Sequence, residues 1–112
     1  MTATPKKIIP GSQLTASVAT YYTAPTNTKT IVKKLTLTNN DTSARSVTIY
    51  LVPSGGSSGV TNILSNAVAV APLSTYEAFE AEGHIVPAGG TIQAFADVAA
   101  KVTIQASGVE IV

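Results

Sequence analysis

Residues 28–52, TKTIVKKLTLTNNDTSARSVTIYLV, contain two segments in which apolar and polar residues alternate. A β-strand sends successive side chains to opposite faces, so a period of two indicates a strand with one buried face. The apolar positions of the two segments are Leu35, Leu37, Val47, Ile49 and Leu51. The polar residues 39–43 between them favour a turn. The stretch therefore predicts an antiparallel hairpin at the centre of an all-β sandwich.

Other parts of the chain repeat this pattern in shorter segments. Further strands are predicted at residues 13–23, 67–70, 91–96, 102–106 and 109–112. Residues 97–101 predict a turn that pairs 102–106 back on 91–96, and Ser107-Gly108 predicts a bend or bulge. About eight short strands separated by turns are typical of an antiparallel β-sandwich or jelly-roll-like fold.

One segment, residues 75–82, fits two kinds of structure. Ser74 and Glu77 match the helix capping box, and Gly83 could end a short helix. The segment is short and its flanks are β-like, so we favour a strand.

The composition limits the classes of function. The chain has 112 residues, a formal net charge of +1, 12% charged residues and no cysteine. One domain of ordinary size is expected. Nucleic-acid binding is not expected, because it needs a concentrated basic surface. No apolar run is long enough to predict a signal peptide or a membrane span, so we expect synthesis in the cytoplasm, without secretion and without a membrane partner.

The first eleven residues differ from the rest. Pro5 and Pro10 bracket Lys6, Lys7, Ile8 and Ile9. We expect residues 1–11 to be a flexible N-terminal arm and residues 12–112 to be the sandwich domain. The alternative is a strand or lasso that docks on a neighbouring subunit through the two isoleucines, with the two lysines on its rim.

No arrangement of residues predicts catalysis, a cofactor or a metal site. Residues 55–59 match G-x-S-x-G, but this hydrolase turn needs a following helix, and a flexible loop is expected here. His84 is the only histidine, whereas catalytic zinc sites usually have three protein ligands. Glu77, Glu80 and Glu82 lack the loop that calcium requires, and predict a solvated strand edge.

Two features predict contacts with other proteins. Lys33 and Lys34 lie near Arg45 at one end of the predicted hairpin, where they could meet an acidic partner surface. Tyr50 points away from Val47 and its apolar neighbours, so it is the best candidate for an aromatic anchor.

Three segments carry a resemblance to a known group of proteins. They are LTLTN at 35–39, VTIYLVPSGGSSG at 47–59, and TIQAFAD followed by VTIQASGVEIV at 91–112. The chain from about residue 21 resembles small all-β structural proteins of bacteriophage virions. The resemblance implies an all-β fold on the virion surface, neck or tail, and assembly rather than catalysis.

These observations predict a non-enzymatic virion protein. The first expectation is a capsid decoration (cement) protein that binds the major capsid protein, as a homo-oligomer and preferably a trimer. The alternatives are a tail, neck or fibre-base protein that contacts other virion proteins, and a carbohydrate- or receptor-binding β-sandwich.

Overall fold

The computed structural model describes residues 2–112, which form two antiparallel sheets packed face to face. The strands are β1 (Ala3–Gln13), β2 (Ala19–Thr23), β3 (Lys29–Asn39), β4 (Arg45–Val52), β5 (Ile63–Val70), β6 (Thr75–Glu77), β7 (Ile85–Val86), β8 (Thr91–Ala96) and β9 (Val102–Ile111). The only helix in this part of the chain is one 3₁₀ turn, Phe79–Ala81, and it is too short to cross a bilayer.

Each sheet has a simple strand order. Sheet A has the order β1-β9-β3-β6, and β7 also pairs with β3. Sheet B has the order β2-β8-β4-β5. The predicted all-β antiparallel sandwich is therefore confirmed, with nine strands where about eight were expected.

The core lies between the two sheets and uses the alternation seen in the sequence. Leu35 and Leu37 of β3 and Val47 and Ile49 of β4 are fully buried. Ile92 and the other inward residues of β8, together with those of β9, complete the core. Burying an aliphatic side chain of this size contributes about 1.5–3 kcal/mol, so these residues drive the sheets together.

The predicted central hairpin is wrong in its pairing. Strand β3 belongs to sheet A and β4 to sheet B, so residues 40–44 cross from one sheet to the other. Residues 97–101 make the same kind of crossing, so residues 102–106 do not pair back on β8. Alternation defines which face of a strand is buried, but that face can pack against an opposite strand as well as beside a neighbouring one.

The buried side chain of Asn39 supports the first crossing. Its amide nitrogen donates to the carbonyl oxygens of Ser43 and Val70, each 3.0 Å away, and its oxygen accepts from the Asp41 amide at 2.9 Å. These bonds tie the end of β3 in sheet A to the end of β5 in sheet B.

The N-terminal segment is an ordered strand and differs from the predicted arm. Residues 3–13 form β1, which pairs with β9, and Thr2 and Val112 exchange two backbone hydrogen bonds of 3.2 and 2.9 Å. Ile8 and Ile9 are 5% and 0% exposed. Their burial in the chain's own core explains why this segment is part of the sandwich and has no boundary at residue 12.

Residues 75–82 combine both structures that the sequence allowed. Strand β6 covers Thr75–Glu77, as favoured, and the 3₁₀ turn follows it. Glu80 in that turn accepts hydrogen bonds from Ser65 of β5 at 2.5 Å and from Tyr76 of β6 at 3.0 Å. The turn thus links the open edges of the two sheets.

A second polar link joins the sheets near Tyr22. The Tyr22 hydroxyl donates to the carboxylate of Glu110 at 2.6 Å. The Thr30 hydroxyl lies 2.7 Å from the Tyr22 hydroxyl oxygen and donates a hydrogen bond to that oxygen. Lys6 lies 3.4 Å from the same carboxylate. Burial and the bond to Glu110 raise the pKa of Tyr22 to about 12.

The Tyr22 link predicts a pH-dependent stability. Because the pKa of Tyr22 is higher in the folded chain than the usual value of about 10, its contribution is present below pH 10 and is lost as pH rises towards 12. We expect Tyr22→Phe to lower the free energy of unfolding by about 1.5–3 kcal/mol at neutral pH, since a hydrogen bond to a charged group is lost. The difference from wild type should shrink above pH 10 in urea titrations; a constant difference would contradict the assignment.

A close backbone approach at Gly108 predicts a second effect on stability. A Cβ at this position would overlap the Ile31 carbonyl oxygen, which belongs to the neighbouring strand and cannot move freely. We expect Gly108→Ala to cost roughly 1–3 kcal/mol in urea unfolding. Gly59→Ala is the control, because a Cβ at Gly59 meets no atom within 4 Å. Equal stabilities of the two variants would refute the steric explanation.

Candidate functional site

The outer face of sheet A carries a row of apolar side chains that runs across four strands. Pro5 of β1 lies opposite Val109 of β9, Val109 lies opposite Ile31 of β3, and Ile31 lies opposite Ile85 of β7. Directly paired residues share one face of a sheet. Pro5 and Ile85 are exposed, the latter by 56%, and the other two are half-buried. We call Pro5, Val109, Ile31 and Ile85 the apolar row.

Three lysines, Lys7, Lys33 and Lys34, lie beside the apolar row. The β1–β9 register shifts between Lys6 and Ile9, and the β3–β9 register shifts between Val32 and Lys34. A bulge interrupts the alternation of side chains, which allows two consecutive residues to be exposed. Both shifts lie opposite Ser107-Gly108, where the sequence predicted a bulge. Lys6 follows Pro5 in unbroken register, so its side chain points to the opposite face, where it meets Glu110. We call Lys7, Lys33 and Lys34 the lysine belt.

The charges of the lysine belt are only partly neutralised. Lys34 lies 3.7 Å from Glu77. Lys7 donates to the side-chain oxygen of Gln105 at 2.6 Å. Within residues 2–112, neither Lys7 nor Lys33 forms an ion pair. The belt therefore keeps positive charge for a partner.

A shallow depression of about 130 Å³ lies within the belt. Lys7 and Lys34 border it, and the polar residues Thr36, Gln105 and Ser107 line it. The ammonium groups of the two lysines are hydrogen-bond donors, and the hydroxyls of Thr36 and Ser107 and the amide of Gln105 are able to donate as well. This lining suits a carboxylate or another anion from a partner surface.

The predicted interaction residues fall into separate groups. The structure brings Lys7, Lys33 and Lys34 together on the outer face of sheet A, whereas Lys6 points to the opposite face and meets Glu110. Ile8 and Ile9 lie inside the core, where they cannot contact a neighbour while β1 stays in its sheet. Arg45 does not join the basic patch predicted from the sequence. It begins β4 in sheet B, where its guanidinium binds Asp41 at 2.6 Å and Asp97 at 3.5 Å. The Arg45 guanidinium holds the pKa of Asp41 below its usual value.

Tyr50 lies on the outer face of sheet B, as its position in the alternation predicted. Its ring stacks on Phe95 of β8, with 6.4 Å between the ring centroids and 27° between the planes. Both side chains are half-buried, so part of each ring remains accessible. Its role as a contact residue stays a prediction.

The apolar row is the feature that sequence reasoning missed. Ile31 precedes Val32 and falls outside the alternating positions of residues 35–38, Ile85 belongs to a short segment without alternation, and Pro5 lies in the segment predicted to be an arm. The row forms only through the pairing of four strands that are distant in the chain. No local signal could have revealed it.

The residues with possible chemical roles lie apart. Residues 53–62 form turns and bends that lead into β5, so no helix follows the G-x-S-x-G match at 55–59. His84 is exposed beside an open groove of about 480 Å³ whose lining includes Leu51, Ile63 and Leu64. Within residues 2–112, no three His, Cys, Asp or Glu side chains are grouped as metal ligands. The structure therefore does not bring these candidate residues together at one place in the described part of the chain.

Comparisons with known proteins support the fold. No protein-family model matches the chain, and no curated protein sequence matches it. Among solved structures, a chain from Bacillus endospore appendages, described as disulfide-linked pili, is 19% identical with a TM-score of 0.55. That alignment covers 97% of this chain and 87% of the other.

Two structures of infectious bursal disease virus, the Gx and Gt strains, are also similar. They are 14% and 11% identical to this chain, each with a TM-score of 0.50. Each alignment covers 97% of this chain but only 32% of the viral chain, so this chain spans about a third of the viral one. At these identities the likeness concerns the fold: the chain is a β-sandwich of a kind found in pili and in a virus.

A carboxyl pair at the edge of sheet A gives a testable effect of pH. A hydrogen bond with Glu77 and partial burial raise the pKa of Glu82, because its charged form is disfavoured beside another carboxylate. Protonated Glu82 therefore contributes to the free energy of unfolding at acid pH, and this contribution is lost as pH rises through the raised pKa. We expect Glu82→Gln to be more stable than wild type at neutral pH and about equal to it below pH 4.

Glu80→Gln is the matched control for this measurement. Glu80 is a carboxylate that accepts bonds from Ser65 and Tyr76, so its amide variant should lose stability at neutral pH. Urea unfolding of both variants at acid and neutral pH separates the two roles. A Glu82→Gln protein that is no more stable than wild type at neutral pH would exclude an unfavourable carboxyl pair.

Proposed function

We propose that this protein is a non-enzymatic structural subunit of a virion, and specifically a capsid decoration protein that binds the shell of the major capsid protein. The observation that carries this proposal is the outer face of sheet A, where the apolar row lies beside the lysine belt. The fold, which is similar to chains from pili and from a virus, agrees with an assembly role.

The apolar row favours contact with another protein. Exposed apolar side chains that adjoin one another mark interaction surfaces on soluble proteins. Here the row crosses four strands that are about 4.8 Å apart, so it forms one continuous strip. Covering the strip removes apolar area from water, which stabilises the contact.

The lysine belt specifies the chemistry of the partner. Lys7 and Lys33 have no acidic partner within residues 2–112, so the complementary surface is apolar and edged by carboxylates. Such charges speed association and align the two surfaces more than they increase affinity. A capsid shell repeats the same surface many times, so that an oligomer gains by binding several copies at once.

A fibre or tail subunit is the second candidate. The similarity to the endospore appendage chain over 97% of this chain favours it. Those appendages are described as disulfide-linked, whereas these 112 residues contain no cysteine. Contacts between copies of this chain would therefore not include disulfide bonds within these residues.

Co-sedimentation with shells of the major capsid protein from the same source tests the proposal. We expect the wild type to co-sediment, and Ile85→Glu to bind at least about tenfold more weakly, which corresponds to about 1.4 kcal/mol. Lys33→Glu should also weaken binding, with a larger effect at low salt because exposed charges are screened. Both positions are exposed, so neither variant should disturb the core.

Ser57→Glu, in the exposed loop between β4 and β5, is the matched control and should bind like wild type. Wild-type protein that stays in the supernatant would reject the decoration role. Retained binding by Ile85→Glu would reject the apolar row as the docking surface.

A further inference from the structure

The outer face of sheet B has a chemistry different from that of sheet A. Strands β2, β5 and β8 contain no charged residue, and the only one in β4 is Arg45 at its first position. Arg45 is held by Asp41 and Asp97 at the end of the sheet. We call the outward side chains of this sheet the uncharged face; they include Thr20, Ser46, Tyr50, Thr91, Gln93 and Phe95.

An aromatic pair lies near the middle of the uncharged face. Tyr50 and Phe95 are on β4 and β8, the two central strands of sheet B, and their rings stack. Within residues 2–112, the Tyr50 hydroxyl has no hydrogen-bond partner. Tyrosine in such a position provides apolar area and one free polar group, a combination that is enriched in protein interfaces.

We propose that the uncharged face is a contact between two copies of this chain related by a two-fold axis. In such a contact the same patch meets itself, so every group must be compatible with its own copy. On sheet A this condition fails, because Lys7 and Lys33 would face the lysines of the other copy. On sheet B no charge is opposed.

The polar groups of the uncharged face are also self-complementary. Thr20 and Thr91 have hydroxyls that both donate and accept, and the amide of Gln93 has a donor and an acceptor. Each can therefore bond to a hydroxyl or amide group of the other copy, whichever of these groups it meets. The ammonium groups of sheet A can only donate, so they cannot do this.

The size of the uncharged face limits the dimer to weak affinity. Four strands about 4.8 Å apart, with strands of about five to eight residues at about 3.3 Å per residue, give a flat area on the order of 400 Å² before side-chain relief. Stable interfaces bury about 800 Å² per partner, so this contact covers about half of that area and is expected to be weak and transient. Sedimentation should therefore be followed from roughly 10 μM to 1 mM.

This contact is independent of the docking role proposed for sheet A. The two sheets of a sandwich face opposite directions, so a dimer through sheet B leaves both apolar rows and both lysine belts accessible. It predicts a dimer in place of the trimer expected from the sequence. The mass in solution decides between them.

Sedimentation equilibrium of the full chain tests the inference. We expect wild type to reach twice the 11.4 kDa chain mass, and Tyr50→Lys to associate at least tenfold more weakly. Thr20→Lys places a charge on the same face at an exposed position, and should have the same direction of effect even if Tyr50→Lys fails to fold. Ile85→Lys, on the apolar row, is the control and should keep the wild-type mass.

A charge pair tests the two-fold symmetry. Gln93→Lys and Gln93→Glu should each weaken association when studied alone, because like charges meet near the axis. An equimolar mixture of the two should regain the dimer. A wild type that is monomeric at all concentrations or trimeric, a lysine at Thr20 that leaves the mass unchanged, or dissociation by Ile85→Lys would overturn the proposal.

Discussion

The structure depends on the position of β9 between β1 and β3. Its backbone pairs on both sides over most of Val102–Ile111, and this pairing closes the centre of sheet A. The same register places Val109 between Pro5 and Ile31, which creates the apolar row. It also places Gly108 against the backbone of Ile31, where a side chain does not fit. One strand thus determines the sheet and the surface that we consider functional.

The sequence predicted the faces of the strands well and their neighbours poorly. Leu35, Leu37 and Val47 are buried and Tyr50 points outward, because each position depends only on the local period of two. The pairing of β3 with β4 was wrong, since the polar residues 40–44 suit a crossing between sheets as well as a hairpin turn. The alternation of apolar and polar residues does not indicate which strands pair or which buried faces pack together.

The candidate surfaces were only partly predicted, because they too depend on which strands pair. The lysine pairs were visible as KK at 6–7 and 33–34, but only Lys7, Lys33 and Lys34 share the outer face of sheet A, next to two register shifts opposite Ser107-Gly108. The isoleucines at 8 and 9 looked available in a segment interrupted by prolines. They are buried because β1 finds its partner in β9, about a hundred residues away in the chain. Long-range pairing is what the sequence pattern could not express.

The pairing of Thr2 with Val112 has a mechanical consequence. These residues lie side by side at one end of the β1–β9 pair, and the two strands run in opposite directions from there. Tension applied between residues 2 and 112 would therefore open the backbone hydrogen bonds one after another, as a zipper opens, instead of shearing them together. A force that neighbours apply through the sheet faces does not pull β1 and β9 apart at this end. Any assembly of this subunit that bears load is mechanically stronger when neighbours grip its faces than when they pull on its two ends.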